Sequence, residues 1–339
     1  MFITLIYLLQ FAADKPWTIS ETDIYAPLDQ NGYAVSDAFH FYLMDAKECR
    51  IRIYDSDGRF IKSVGGKGEG PGEFHKLFGV RFEMGLLYGL DPMASRLNVF
   101  DEGGFFLTSH KTPPELPFSF PYAAKMVEGW VFFSHRDKSI IWVDDTFENQ
   151  IVLAEVEKTQ SSKDVIVPVA EKPVFAASKD RQKVFVYPGT GKFEILVYDV
   201  LSKSFKKPIS KDIPPVPLGK TAGEELYKHK LSYLKLRGKQ TKPQYPNFFP
   251  AISHMVLDAD GLLLIFPGVH IWNKNTPAIV LGENGNEAVS RFPTIYHARI
   301  MAIVGTYAFV SVYHEGEMGV RRVPINELGR FFQENPNNR

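Results

Sequence analysis

Residues 51–74, IRIYDSDGRFIKSVGGKGEGPGEF, decide the fold. Ile51 and Ile53 alternate with polar positions as a half-buried strand does, Asp57-Gly58 is a hairpin turn signal, and Phe60 to Val64 reads as the returning strand. The loop Gly65-Gly66-Lys67-Gly68-Glu69-Gly70-Pro71-Gly72 follows and is closed by the aromatic Phe74. Its glycines suit a tight crossing with positive φ angles that other residues resist. Phosphate binding fits poorly. No Gly-Lys-Ser/Thr ending or helix follows, and Pro71 stands where a Gly-x-Gly-x-x-Gly motif needs its third glycine.

Working outward, a phrase recurs: an aromatic or apolar residue, often with Pro, then a short apolar strand, a turn, and a strand rich in Tyr, Phe and Val. It starts at Pro27, Leu77, Pro121, Pro173, Pro250 and Pro293, at separations of 50, 44, 52, 77 and 43 residues. Four of these five match one four-stranded unit, and the remaining one, 77, carries an insertion of about 30 residues. Further hairpins follow the phrases, turning at Glu102-Gly103-Gly104, at Leu201-Ser202-Lys203 and at Asn284-Gly285. The sixth unit is one strand short, and Trp17 to Tyr25 is the natural donor. Closure of this kind removes exposed sheet edges.

The hairpin, glycine loop and Phe74 resemble the repeat signature of NHL-repeat and TolB-like six-bladed β-propellers. The resemblance implies an all-β fold: a six-bladed β-propeller with four-stranded antiparallel blades, an N-terminal strand closing the last blade, and one helical insertion. The domain reading is a single propeller over residues 17–329, with the insertion at about 211–246 and a polar tail over 330–339. Residues 1–13 read as a signal peptide or an N-terminal strand. The apolar run Phe2 to Ala13 is too short to span a membrane, so no integral span is expected. It has the length of a signal-peptide core, although no Lys or Arg precedes it. An extracytoplasmic address, periplasmic or secreted, is the expectation.

Lys+Arg and Asp+Glu both number 39, so no global field favours nucleic acid. The lone Cys49 excludes an intramolecular disulfide and any Cys-based zinc site, and reads as a small, partly buried hydrophobe beside the first hairpin. The insertion departs from this balance, with eleven Lys or Arg and three Asp or Glu from Lys203 to Lys242. Thr221-Ala222-Gly223-Glu224 fits a capping box, and Tyr227, Leu231 and Leu234 recur at helical spacing. A helix over about Ala222 to Leu236 is expected. Lys228, Lys230, Lys235 and Arg237 make its basic face, which reads as a solvated face or as a surface for an anionic partner.

Nine histidines show no His-Glu-x-x-His or comparable spacing, and no Gly-x-Ser-x-Gly elbow occurs. No metal, cofactor or catalytic residue is therefore assigned. A propeller can still assemble a site from its innermost strands, where Arg81, Lys125, His254, His297 and Arg299 are the candidates. These basic groups would attract an anion. Mostly apolar or basic inner strands argue against the carboxylate cage of the calcium-dependent propeller lactonases. NHL-type lyases hold a metal with histidines from several blades, and His254 and His297 occupy comparable points of adjacent repeats. The expected function is non-enzymatic: a monomeric propeller presenting loops and a channel mouth to a protein, peptide or glycan partner. The alternative is an NHL-like lyase or hydrolase acting at the channel.

Overall fold

A computed structural model describes residues 17–18, 33–35, 40–55, 59–112, 123–134, 139–155, 165–166, 173–235, 242–257, 261–271, 278–289, 300–304, 307–314, 317–328 and 330–331. The chain divides into two compact units, Met1–Ala123 with His297–Arg339, and Ala124–Tyr296.

In the first unit, β1 (Trp17–Thr18) precedes two complete four-stranded sheets. One runs in order through β2 (Tyr33–Val35), β3 (Phe41–Asp45), β4 (Arg50–Tyr54) and β5 (Phe60–Gly65). The next runs through β6 (Gly79–Glu83), β7 (Leu86–Asp91), β8 (Arg96–Asp101) and β9 (Phe106–Lys111). All neighbours in these two sheets pair antiparallel. The quoted stretch therefore contains β4, β5 and the crossing to the next sheet, as expected. Asp57-Gly58 lies outside the described residues.

The glycine loop wraps Phe74, which is fully buried among Tyr42, Met44, Ile51 and Ile53 of one sheet and Val80, Leu87 and Phe100 of the next. A Cβ on Gly65 would stand 2.6 Å from the Phe74 ring, and one on Gly89 of β7 also 2.6 Å. Both positions must therefore be glycine for the ring to keep this place. Cys49 is itself a buried member of this cluster, more fully enclosed than the sequence predicts.

The second unit repeats the plan. One sheet is β10 (Ala123–Lys125), β11 (Trp130–Ser134), β12 (Ser139–Val143) and β13 (Gln150–Glu155). After the short β14 (Val165–Ile166) comes β15 (Val174–Ala177), β16 (Lys183–Tyr187), β17 (Glu194–Asp199) and β18 (Ser204–Ser210). The insertion contributes helix α1 (Lys220–Lys235) and β19 (Lys242–Pro243), which pairs parallel with β14. The third sheet shows β20 (His254–Leu257), β21 (Leu263–Phe266) and β22 (Ile279–Leu281). Beyond β22 the chain turns as Asn284-Gly285 predicts: Gly285 has φ +82°, and Leu281 bridges back to Glu287. Buried Phe185, Tyr187, Ile195, Ile252 and Ile265 fill the core between the last two of these sheets.

The first unit is completed by β23 (Ile300–Val304), β24 (Tyr307–His314) and β25 (Glu317–Pro324). Here β1 supplies the missing fourth strand, with Trp17 opposite Val320 and Thr18 opposite Gly319. Closure by an N-terminal strand is thus observed.

One local device recurs at the strand ends. Asp45 and Asp91 end the second strands of successive sheets, and each accepts the backbone N–H three residues on, from Glu48 (3.1 Å) and Ala94 (3.2 Å). Cys49 (φ +53°) and Ser95 (φ +50°) then complete each turn in the left-handed region. Asp199 does the same with Ser202 and Lys203. Its carboxyl is held below the usual range by the Ser202 backbone N–H and then by the Ser202 hydroxyl. Asp180 is lowered by the Ser178 hydroxyl, and at Asp144 the hydrogen bonds from Asn149 and Thr146 outweigh the upward push of burial. Folded values below the unfolded 3.8 mean that these turns contribute fully above about pH 4 and lose that contribution as pH falls through the folded values. The urea midpoint is expected to decline below about pH 4, less steeply in an Asp199→Asn variant.

Helix α1 begins at Lys220, two residues before the expected start. The Gly223 N–H bonds to the Gly219 carbonyl at 3.0 Å, so Gly219 is the N-cap and Thr221 lies inside the first turn. The expected capping box is not used. The backbone ahead of the helix is instead fixed by pairing, because Leu218 N–H donates to the Asn247 carbonyl at 2.9 Å. Tertiary pairing of the insertion's two ends overrides the local signal.

Candidate functional site

The first strand of each sheet lies at that sheet's edge, which is where the sequence reading looked for a site. Arg81 stands in the middle of β6 opposite Tyr88. Its Nε donates to Glu83 Oε1 at 2.9 Å, and Glu83 is only 6% exposed. Residues two apart on a strand share a face, so the pairing follows directly from Arg-x-Glu in an extended chain. Lys125 closes β10. Its Nζ donates to the Met126 carbonyl at 2.8 Å, lies 2.9 Å from Asp145 Oδ1, and sits 6.0 Å from the centre of the Trp130 ring.

His254 opens β20 opposite Phe266, and the two rings lie 6.0 Å apart at 41°. Lys125 thus sits at the closing end of its first strand and His254 at the opening end. His297 and Arg299 lie outside the described residues. Chemically, Arg81 and Lys125 have their charge balanced by carboxylates of their own unit. An anion seated on either would have to displace Glu83 or Asp145.

The glycine loop is occupied by its own chain. Glu73 Oε2 accepts the Gly70 N–H at 2.8 Å, filling the space that a phosphate oxygen would take. The Glu73 carbonyl receives Arg96 Nη2 at 2.7 Å and Asn98 Nδ2 at 2.8 Å. The fully buried Asp91 accepts the backbone N–H groups of His75 (2.7 Å) and Lys76 (3.3 Å). Asp91, Arg96 and Asn98 therefore clamp the crossing. The sequence reading missed them, although Asp45-x-x-x-x-Arg50 and Asp91-x-x-x-x-Arg96 repeat one pattern. On the loop's outer side His75 Nε2 meets Glu69 Oε1 at 3.0 Å, both exposed.

On the insertion, Lys228 is exposed on α1, and Lys230 and Lys235 lie on the same helix. Arg237 is outside the described residues. The helix packs through its Ala222 and Leu226 in a cluster with Leu218, Phe249 and Val269. Its exit is doubled back on its entry: Pro217 bridges Phe248 antiparallel, and Phe249 N–H donates to the Val216 carbonyl at 2.9 Å. Among the described residues there is no group of three or more His, Cys, Asp or Glu placed to hold a metal ion, and no helix long and apolar enough to cross a membrane.

No curated protein matches the chain. Solved structures do. A member of the duf4221 family from Bacteroides vulgatus is 12% identical with a TM-score of 0.47, covering 91% of this chain and 98% of that one. Virginiamycin B lyase from Staphylococcus aureus is 11% identical with a TM-score of 0.41, covering 92% and 88%. A putative exported protein from Bacteroides fragilis is 10% identical with a TM-score of 0.41, covering 92% and 94%. At these identities the likeness supplies no residue correspondences. Residues 37–208 match the DUF5128 family, described as a 6-bladed beta-propeller. With four-stranded sheets repeating along the chain and β1 completing the last of them, this protein is a six-bladed β-propeller of the DUF5128 family.

Proposed function

We propose that this propeller is a non-enzymatic binding module, exported from the cytoplasm, that presents its loops and inner-strand ends to a protein, peptide or glycan partner. The observation that supports it most is the state of the two first-strand cations. Arg81 on Glu83 and Lys125 on Asp145 form charge-balanced polar surface, each cation engaged by a carboxylate of its own chain, whereas a proton-transfer group must have access to a reacting atom. Export is supported by the apolar run Phe2 to Ala13.

The deciding experiment is metal analysis by mass spectrometry on protein purified without a His-tag or chelator. The expected result is no stoichiometric transition metal, in wild type and in His254→Ala/His297→Ala alike. A stoichiometric metal lost in that double variant would overturn the binding reading and install a lyase or hydrolase of the NHL-like class at the first strands. Fractionation of the source cell checks the address: the expected product is extracytoplasmic, with a mature N-terminus near Ala13. A cytoplasmic product retaining Met1 would refute export.

A further inference from the structure

We infer that the insertion's neck and the adjoining face of α1 form a docking surface for an acidic polypeptide segment. Tyr245 and Phe248 would take its apolar side chains, and Lys220 and Lys228 its carboxylates. This names a partner class for the binding reading above and rests on it.

Charge comes first. In a chain whose formal net charge is zero, residues 203–242 hold eleven Lys or Arg against three Asp or Glu. The surplus is therefore local, and it selects an anionic partner. Geometry comes second. The entering and leaving chains are bound side by side at Val216–Leu218 and Asn247–Phe249. That pairing gathers Ile213, Val216, Tyr245 and Phe248, exposed by 37, 39, 42 and 46%, onto neighbouring stretches of backbone. Tyr245 reaches onto the helix, where a Cβ on Gly223 would stand 2.9 Å from its ring and where it meets the Tyr227 ring edge-on at 6.3 Å. Lys220 lies one turn before this contact and Lys228 directly after Tyr227. The Lys220 side chain is 89% exposed and only 3.9 Å from Glu224, a contact that costs little to exchange.

Half-burial separates a polypeptide partner from a bilayer. A side chain that anchors to a membrane must reach into the acyl boundary. Tyr245 and Phe248 are instead more than half covered by their own fold and held in place. Aromatic anchors with little conformational entropy to lose, bordered by a polar rim, are the pattern of protein interfaces.

The test uses the full chain and a short fluorescein-labelled peptide of glutamates interspersed with Phe and Leu, with its Gln-for-Glu counterpart as control. Fluorescence anisotropy is expected to show salt-sensitive binding of the acidic peptide only. Phe248→Ser should weaken it about tenfold, and Lys220→Glu/Lys228→Glu by at least as much. Because the two lysines are exposed, that variant should keep the wild-type circular dichroism spectrum even if changes at the neck do not. The inference is overturned if wild type leaves the acidic peptide unbound, if the lysine variant binds it equally, or if the Gln peptide binds as well. Cosedimentation with phosphatidylglycerol vesicles, lost in the lysine variant and without peptide binding, would overturn it in favour of a bilayer. None of these failures touches the metal measurement, which decides the binding reading separately.

Discussion

Phe74→Ala is expected to lower the stability of the propeller by about 3–5 kcal/mol, read as a fall in the urea midpoint without a change in slope. The ring is wholly buried, and seven core side chains from two sheets close on it. Two glycines make the fit still tighter, since a Cβ at Gly65 or Gly89 would come within 2.6 Å of the ring. Truncation therefore leaves a cavity walled by rigid strands that cannot collapse into it. The complementary change, Gly89→Ala, overpacks the same place and should cost about 1–3 kcal/mol. Because the two positions touch, the double variant Phe74→Ala/Gly89→Ala should be more stable than the sum of the single losses implies. Additive losses would show that the ring and β7 are not packed as described.

Asp91→Ala should cost about 3 kcal/mol, although it removes no apolar contact. The carboxylate is fully buried and collects the N–H groups of His75, Lys76 and Ala94, with Arg96 Nε 3.5 Å away. Its loss strands three backbone donors and removes the counter-charge of a guanidinium only 18% exposed. Hydrogen exchange gives the specific signature. The amides of His75 and Lys76 should lose protection while strand amides of β7 and β8 keep theirs. If the His75 and Lys76 amides kept their protection, the clamp on the crossing would be refuted.

Much of this was legible in the chain. The alternation at Ile51 and Ile53, the glycine loop and Phe74 call for a hairpin followed by a crossing, because strand period and positive φ are local properties. The closing strand was legible too, since a sixth unit lacking one strand needs a donor. The pairing of Arg81 with Glu83 lies within reach of the sequence, since Arg-x-Glu on a strand puts both side chains on one face. Illegible was the partner of Lys125, because Asp145 lies twenty residues on and nothing within β10 points to it.

Periodicity, turn chemistry and residue counts are enough to read the repeating strand units, the turn positions and the basic insertion from the chain. Only the folded chain shows that Asp91, Arg96 and Asn98 hold the crossing, that α1 is capped at Gly219, and that Tyr245 and Phe248 stand together at the insertion's neck. Each of these joins residues far apart in the chain or overrides a local preference. Such contacts are stabilised only once loop closure has brought their partners within reach.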